Sequence, residues 1–116
     1  MPVRIPTIPT DITVHLGAPG SNARNITVPF IEYIKNVASG EVYPNWPLDA
    51  IKANVLAQIS FALNRIYNEC YPSQGYTFDI TNDPNYDQSF GENRQFFQTI
   101  SDVVDDIFNN YFLLLG

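Results

Sequence analysis

One glutamate in this chain lies where two predicted helices meet beside aromatic side chains. Glu41 lies two residues before the turn at residues 43–47, which is rich in proline and contains Tyr43 and Trp46. A carboxyl group shielded from water by such rings is favoured in its protonated form and could act as a general acid. The rings themselves offer flat surfaces on which sugars could stack. A surface glutamate, or one that caps the first turn of a helix, has the same position, and the pattern alone does not separate these interpretations.

Glycoside cleavage needs a proton donor at the leaving oxygen, and most glycosidases add a second carboxylate. The two groups are about 5–5.5 Å apart in retaining enzymes and about 6.5–9.5 Å apart in inverting ones. The candidates for a second carboxylate are Asp79, Asp83 and Asp87, all in one loop. This loop superficially resembles a calcium-binding loop, but it lacks the glycine and the terminal glutamate of an EF-hand. Because such residues are common in any tight turn, a structural role is favoured, and neither a metal nor a cofactor is predicted.

The single cysteine and the single histidine limit the chemistry further. Cys70 has no partner for an internal disulfide, and Cys70 with His15 cannot supply a zinc site of the Cys₂His₂ type. A catalytic cysteine requires a histidine base, and nothing in the sequence brings His15 to Cys70. We therefore interpret Cys70 as a half-buried residue at a helix end and His15 as a structural residue of a strand.

Composition and net charge restrict the classes of ligand that this protein could bind. The chain has 116 residues, of which 45% are hydrophobic, and these values predict one folded domain. Its net charge is −6 and its four arginines are scattered, which argues against nucleic acid and against an anionic membrane surface. Neutral glycans are compatible with this charge. No segment reaches the roughly 20 apolar residues of a membrane span, and residues 1–6 do not resemble a signal peptide, so we expect an excised domain or an export route outside this sequence.

The remaining pattern predicts the elements that must position Glu41. Residues 1–10 form an extended, proline-spaced arm or linker, and strands at residues 11–16 and 25–28 form a hairpin. A first helix begins at Pro29 and ends at Ser39-Gly40, and a second runs from Pro47 to about residues 67–70. The apolar stripe of the second helix consists of Ile51, Val55, Ile59, Ala62 and Ile66, widened by Leu56 and Leu63.

The last third of the chain contains a long loop and a third helix. Residues 71–91 contain at most a short strand near residues 76–80, and the helix covers about residues 94–114. The apolar stripe of this helix is Phe97, Ile100, Val104, Ile107, Phe108 and Tyr111, and its solvated face is Asp102, Asp105 and Asp106. The predicted fold is therefore α+β, a mostly helical single domain over residues 11–116 with a small N-terminal β-hairpin and three main helices.

Several segments together resemble the SpoIID/LytB family, named for stage II sporulation protein D. The segment at residues 28–47, with its Pro-Asn-Trp-Pro turn, is most similar to the catalytic domain of clostridial spore cortex-lytic enzymes. Residues 12–17, 57–65, 75–76, 78–82, 86–88 and 106–110 are also similar, so that the resemblance covers nearly the whole chain. Gln58-Ile59-Ser60 replaces the Ala-Arg-Thr step of the wider family, and Tyr86-Asp87 replaces the cysteine and histidine that hold zinc in some members.

The resemblance implies a function and a set of site residues. The matching glutamate of the family is the catalytic acid, so Glu41 is expected to act in a lytic transglycosylase that cleaves peptidoglycan glycan strands. By the same resemblance, Asp79, Thr81 and Gln88 are expected to position the substrate. We interpret Tyr43, Trp46 and Tyr76 as further substrate-binding residues. The implied setting is bacterial and extracellular, in the spore cortex or cell wall, during sporulation or germination.

Two other functions stay open at this stage. The family domain continues beyond the last residues of this chain, so only its N-terminal part is expected here, and a non-catalytic peptidoglycan-binding module would suit such a part. A protein-interaction module is the other alternative, because the apolar run at residues 112–116 would suit self-association or pairing with another chain.

Overall fold

A computed structural model describes residues 8–111 of the chain, with the side chain of Tyr111 excluded. Two strands, β1 (Asp11–His15) and β2 (Asn25–Pro29), precede the helices α1 (Phe30–Glu41) and α2 (Leu48–Tyr67). A short 3₁₀ turn (Pro72–Gln74), strand β3 (Ile80–Thr81) and helix α3 (Gln98–Tyr111) follow. The predicted α+β fold, mostly helical with a hairpin and three helices, is confirmed.

The sheet has the order β2-β1-β3. Strand β1 pairs antiparallel with β2, with Val14 opposite Ile26, and parallel with β3, with Val14 opposite Ile80. The alternation of Ile12 and Val14 places both side chains in the core. Because α1 and α2 lie between β1 and β3 in the chain, the sheet and the helices form one packed unit.

Two prolines place the helix starts. Pro29 and Pro47 precede the first residues of α1 and α2 with φ values of −57° and −52°, and the proline ring fixes φ in this range. The predicted end of α1 at Ser39-Gly40 is wrong by one residue, because the helix continues through Gly40 to Glu41. Glu41 is therefore a helical residue, whose orientation is set by the helix.

The core lies where the three helices meet the sheet. Ile51, Val55 and Ile59 of α2 are completely buried, as their spacing predicts. Leu56 does not widen this stripe, since it is 37% exposed, and Phe97 lies before α3 with its ring exposed. The other fully buried apolar side chains come from all the main elements and include Phe30, Ile34, Val37, Ile100, Val104 and Ile107.

Ion pairs join the helices at their outer edges. Lys35 of α1 lies 2.9 Å from Asp105, and Lys52 of α2 lies 3.8 Å from Asp106. Asp105 and Asp106 belong to the predicted solvated face of α3, and both are exposed. None of the helices within residues 8–111 is long and apolar enough to cross a membrane. The predictions for the first residues of the arm and for the apolar run at 112–116 lie outside the described residues.

Candidate functional site

Glu41 is the last residue of α1, and the chain leaves the helix immediately after it. Val42 is extended, with φ −122° and ψ 152°, and its amide still donates to the carbonyl of Ala38. The Glu41 side chain is exposed. The expected shielding of this carboxylate by aromatic neighbours is therefore not present in the structure, and a bound ligand would have to supply it.

A buried glutamine of α2 holds the Glu41 carboxylate. Gln58 Nε2 donates to Glu41 Oε2 over 2.8 Å, and Gln58 is only 5% exposed. Among the described residues, Gln58 Oε1 is a buried side-chain oxygen without a hydrogen-bond partner. This role of Gln58 was not predicted from the sequence, although a polar residue within the apolar stripe of α2 is a detectable signal.

Gln88 supports this arrangement from the long loop. Gln88 Nε2 donates to the backbone carbonyl of Gln58 over 3.0 Å, and its Oε1 accepts from the Tyr33 hydroxyl over 2.8 Å. Burial raises the pKa of Tyr33 well above its usual value, and the charges of Asp87 and Glu41 raise it further. The hydrogen bonds therefore run from Tyr33 of α1 through Gln88 and Gln58 to Glu41.

Asp87 organises the loop next to Gln88. Its side chain is fully buried and lies 2.6 Å from Arg65 Nε. It also accepts from the Tyr71 hydroxyl over 2.7 Å and from the backbone amide and hydroxyl of Thr81 over 3.0 and 2.6 Å. Burial and the bond to Asp87 raise the pKa of Tyr71. Burial alone would lower the pKa of Arg65, but the bond and the charge of Asp87 raise it overall.

The other loop aspartates also make local hydrogen bonds. Asp79 Oδ2 accepts from the Thr13 amide over 2.8 Å, and the Asp79 amide donates to the Thr13 carbonyl over 2.9 Å. Asp83 Oδ1 accepts from the Asn85 amide over 2.9 Å, as in an Asx turn. All three candidates for a second carboxylate thus have structural partners, which agrees with the structural interpretation of this loop.

Two exposed aromatic rings follow Glu41. Tyr43 is 66% exposed and Trp46 is 38% exposed, and their ring centroids are 6.1 Å apart at 58°. A turn holds them together, because the Trp46 amide donates to the Tyr43 carbonyl over 3.1 Å. The rings and the carboxylate therefore share one short exposed segment at the end of α1.

The predicted substrate-binding residues fall into four places. Tyr43 and Trp46 follow Glu41 in the chain, and Gln88 lies behind it in the hydrogen-bond network. Thr81 is completely buried and bonds to Asp87, whereas Asp79 is tied to β1. Tyr76 packs with Tyr71 and Phe78 and lines a different cleft. Direct contact of these residues with a substrate stays a prediction.

The described residues contain no group of three or more histidine, cysteine, aspartate or glutamate side chains that could hold a metal ion. Cys70 is half-buried and its sulfur lies 3.5 Å from Arg65 Nη1. His15 is buried in β1, where it stacks on Phe78. Both residues thus have the structural environments that the sequence indicated.

The comparison with known families identifies the chain. The family model described as SpoIID, stage II sporulation protein, matches residues 21–108, which is well over half of the sequence. The chain therefore belongs to the SpoIID family. The match includes Glu41, Gln58 and Asp87, and thus the whole candidate site. No curated protein and no solved structure matches the chain significantly.

Proposed function

We propose that this SpoIID-family chain cleaves the glycan strands of peptidoglycan as a lytic transglycosylase, with Glu41 as general acid and base. The observation that carries the proposal is the exposed Glu41 carboxylate, which accepts a hydrogen bond from a buried glutamine and is followed in the chain by two exposed aromatic rings. A carboxylate that must meet a large polymer needs to be exposed in the free protein. The proposed place of action is the spore cortex or cell wall, during sporulation or germination.

The proposed reaction uses one carboxyl group twice. Protonated Glu41 donates its proton to the glycosidic oxygen as the C1–O bond breaks. The resulting carboxylate then accepts the proton of the sugar's own 6-hydroxyl while the hydroxyl oxygen bonds to C1. The products are a 1,6-anhydro sugar and a strand with a free hydroxyl group, and Glu41 ends protonated as it began.

This reaction uses neither a water nucleophile nor a second carboxylate. The loop fits a mechanism with one carboxylate, because the side chains of Asp79, Asp83 and Asp87 all accept local hydrogen bonds. A glycan bound across Glu41 and the two rings would exclude water from the carboxyl group. Exclusion of water would strengthen the interaction between the carboxyl group and the developing charge.

The test is digestion of spore cortex and vegetative peptidoglycan, with mass spectrometry of the products. We expect 1,6-anhydro products from the wild type and none from Glu41→Gln, because the amide cannot transfer the proton. Glu32→Gln is the matched control, since Glu32 is an exposed glutamate in the first turn of the same helix. Circular dichroism checks that each variant is folded.

Other products would contradict the proposal in different ways. Reducing ends without anhydro sugars would indicate hydrolysis, in which water takes the place of the 6-hydroxyl. Glycan binding without cleavage would support the non-catalytic peptidoglycan-binding alternative. Equal cleavage by the wild type and Glu41→Gln would exclude Glu41 as the acid.

A further inference from the structure

A second cleft lies between the turn that joins β1 to β2 and the segment that precedes β3. Its volume is about 390 Å³, and none of the residues that line it belongs to the Glu41 network. We propose that this cleft, here called the hairpin cleft, binds sugar units of a neutral glycan. The inference rests on the proposed function only for the source of the glycan. The polar residues that line the hairpin cleft are His15, Ser21, Asn22, Asn25, Tyr76 and Thr77.

The chemistry of the lining favours a neutral polar ligand. Asn22 contributes an amide group, and Thr77 and Tyr76 contribute hydroxyl groups, whereas both polar atoms of the Asn25 side chain bond to His15 and Thr77. No lysine, arginine, aspartate or glutamate lines the hairpin cleft in the described structure. Because moving an ion out of water without an opposite charge costs free energy, this lining selects against charged ligands. A neutral sugar offers the hydroxyl and amide groups that the lining can bind.

The floor of the hairpin cleft is already ordered in the free protein. His15 is buried and stacks on Phe78, with ring centroids 4.4 Å apart at 13°. His15 Nδ1 lies 2.7 Å from Asn25 Oδ1, and Nε2 lies 3.2 Å from Ser21 Oγ. Asn25 Nδ2 in turn donates to Thr77 Oγ1 over 3.3 Å, which joins the two walls. Little ordering is then needed when a ligand binds.

An aromatic ring completes the wall that precedes β3. Tyr76 is half-buried and stacks on Phe78, with centroids 5.1 Å apart at 30°. Tyr71 packs edge-on against Tyr76 at 6.1 Å. A ring supported in this way offers rigid apolar area next to polar groups, which is the composition of most small-ligand sites.

Two glycines line the hairpin cleft. Gly75 has φ 94°, a conformation that glycine adopts without strain, and a Cβ there would meet no atom within 4 Å. At Gly20 the nearest atom to such a Cβ is the Tyr76 hydroxyl, at 4.0 Å. A larger side chain at Gly20 would therefore fill the space in front of Tyr76 without a clash at its Cβ.

The contacts of Ser21 favour binding over catalysis in this cleft. The contacts from Ser21 to His15 and from His15 to Asn25 have the order of a nucleophile, a base and an orienting group in a catalytic triad. The Ser21 hydroxyl, however, donates to the Ala18 carbonyl over 2.8 Å, so its proton is directed away from His15. Ser21 therefore shapes the turn, and the polar groups beside it are the ones offered to a ligand.

The test measures binding of an N-acetylglucosamine trimer to the full chain carrying Glu41→Gln, by NMR titration and calorimetry. We expect amide shifts concentrated at Gly20, Asn22 and Thr77. Tyr76→Ala and Gly20→Leu should each weaken binding by about tenfold or more, as for a central contact residue. Tyr86→Ala is the control, because Tyr86 is exposed and does not line the hairpin cleft. Asn22→Ala provides a milder change if Tyr76→Ala fails to fold.

The outcomes separate this inference from the proposed function. No binding, shifts confined to Tyr43 and Trp46, or binding of a peptide in place of the sugar would each overturn the inference. Binding at the hairpin cleft by a protein whose wild type yields no cleavage products would uphold the inference while contradicting the proposed function. Cleavage by the wild type without binding at the hairpin cleft would uphold the proposed function and overturn the inference.

Discussion

Gln58 donates a hydrogen bond from Nε2 to Oε2 of Glu41 over 2.8 Å, although the two residues are 17 positions apart. Within the described structure, the other polar atom of the Gln58 side chain, Oε1, is buried without a hydrogen-bond partner. An amide group can present either atom to a carboxyl group. Nε2 can donate a hydrogen bond to the carboxylate. After rotation of the amide, Oε1 can accept one from the protonated acid. A general acid and base passes through both states.

Replacing Gln58 should separate activity from stability. In Gln58→Met the orphan oxygen is lost, and the backbone carbonyl that Gln88 binds is retained. We therefore expect unchanged or increased stability in urea unfolding, because an unsatisfied buried group costs about 1–3 kcal/mol. Cleavage of peptidoglycan should fall by roughly tenfold or more, since misplacement of a catalytic group by about 1 Å can cost 100-fold. Gln95→Met, at an exposed glutamine, is the control, and equal cleavage by both variants would contradict this role.

Asp87 should be the most sensitive aspartate for folding. Asp87→Ala leaves Arg65, Tyr71 and Thr81 without their common acceptor, and breaking a buried ion pair on one side costs about 3–5 kcal/mol. Urea unfolding should show a loss of this size. Asp83→Ala should cost less, because the Asp83 side chain accepts only one local amide bond among the contacts described. Similar losses for the two variants would mean that the Asp87 network contributes little.

Gly40 should tolerate no side chain while Arg94 is present. A Cβ at Gly40 would lie 1.9 Å from Arg94 Nη1, which donates to the carbonyls of Asn36 and Ser89 over 3.1 and 3.0 Å. Alanine should favour the helix by about 1 kcal/mol, but each lost bond to the charged group costs about 1.5–3 kcal/mol. We therefore expect Gly40→Ala to be destabilising in thermal and urea unfolding.

A double-mutant cycle tests the reason for this effect. In an Arg94→Ala background the clash is absent, so Gly40→Ala should become neutral or stabilising by up to about 1 kcal/mol. An unchanged cost in that background would show that the backbone of α1, and not Arg94, requires glycine.

Alkaline conditions should weaken the fold through its buried tyrosines. The pKa values of Tyr33 and Tyr71 are raised in the folded chain, so the folded state holds these protons more tightly than the unfolded state. Their contribution to stability is complete below about pH 10, the usual value for tyrosine. It is lost as the pH rises from there through the folded-state values. Urea unfolding at several pH values up to about 11.5 measures the decline.

Phenylalanine variants identify the groups responsible. Tyr33→Phe and Tyr71→Phe should each make stability less dependent on pH above about 10, because one titrating hydroxyl is removed. Tyr43→Phe changes an exposed tyrosine and should leave the alkaline decline as it is. The same slope in all three variants would assign the decline to other groups.

Local patterns predicted most of the fold. The two prolines before the helices, the alternating strand at Ile12 and Val14 and the stripe of α2 depend on neighbours within a few residues. These signals determine helix, strand and the buried face before any long-range contact forms. The end of α1 differs from the prediction because glycine, a common helix terminator, is here a helical residue, and the side chain of the distant Arg94 occupies the space where its Cβ would lie.

By itself, the sequence determined the element order, the apolar faces, the family resemblance and the choice of Glu41. The tertiary structure alone decided that Gln58 holds Glu41, that Asp87 binds Arg65, Tyr71 and Thr81, and that two distant segments enclose the hairpin cleft. The physical reason is that a hydrogen bond depends on distance and angle between groups. Residues such as Tyr71 and Asp87, or Arg65 and Asp87, which are 16 and 22 positions apart, reach those values only after the chain has packed.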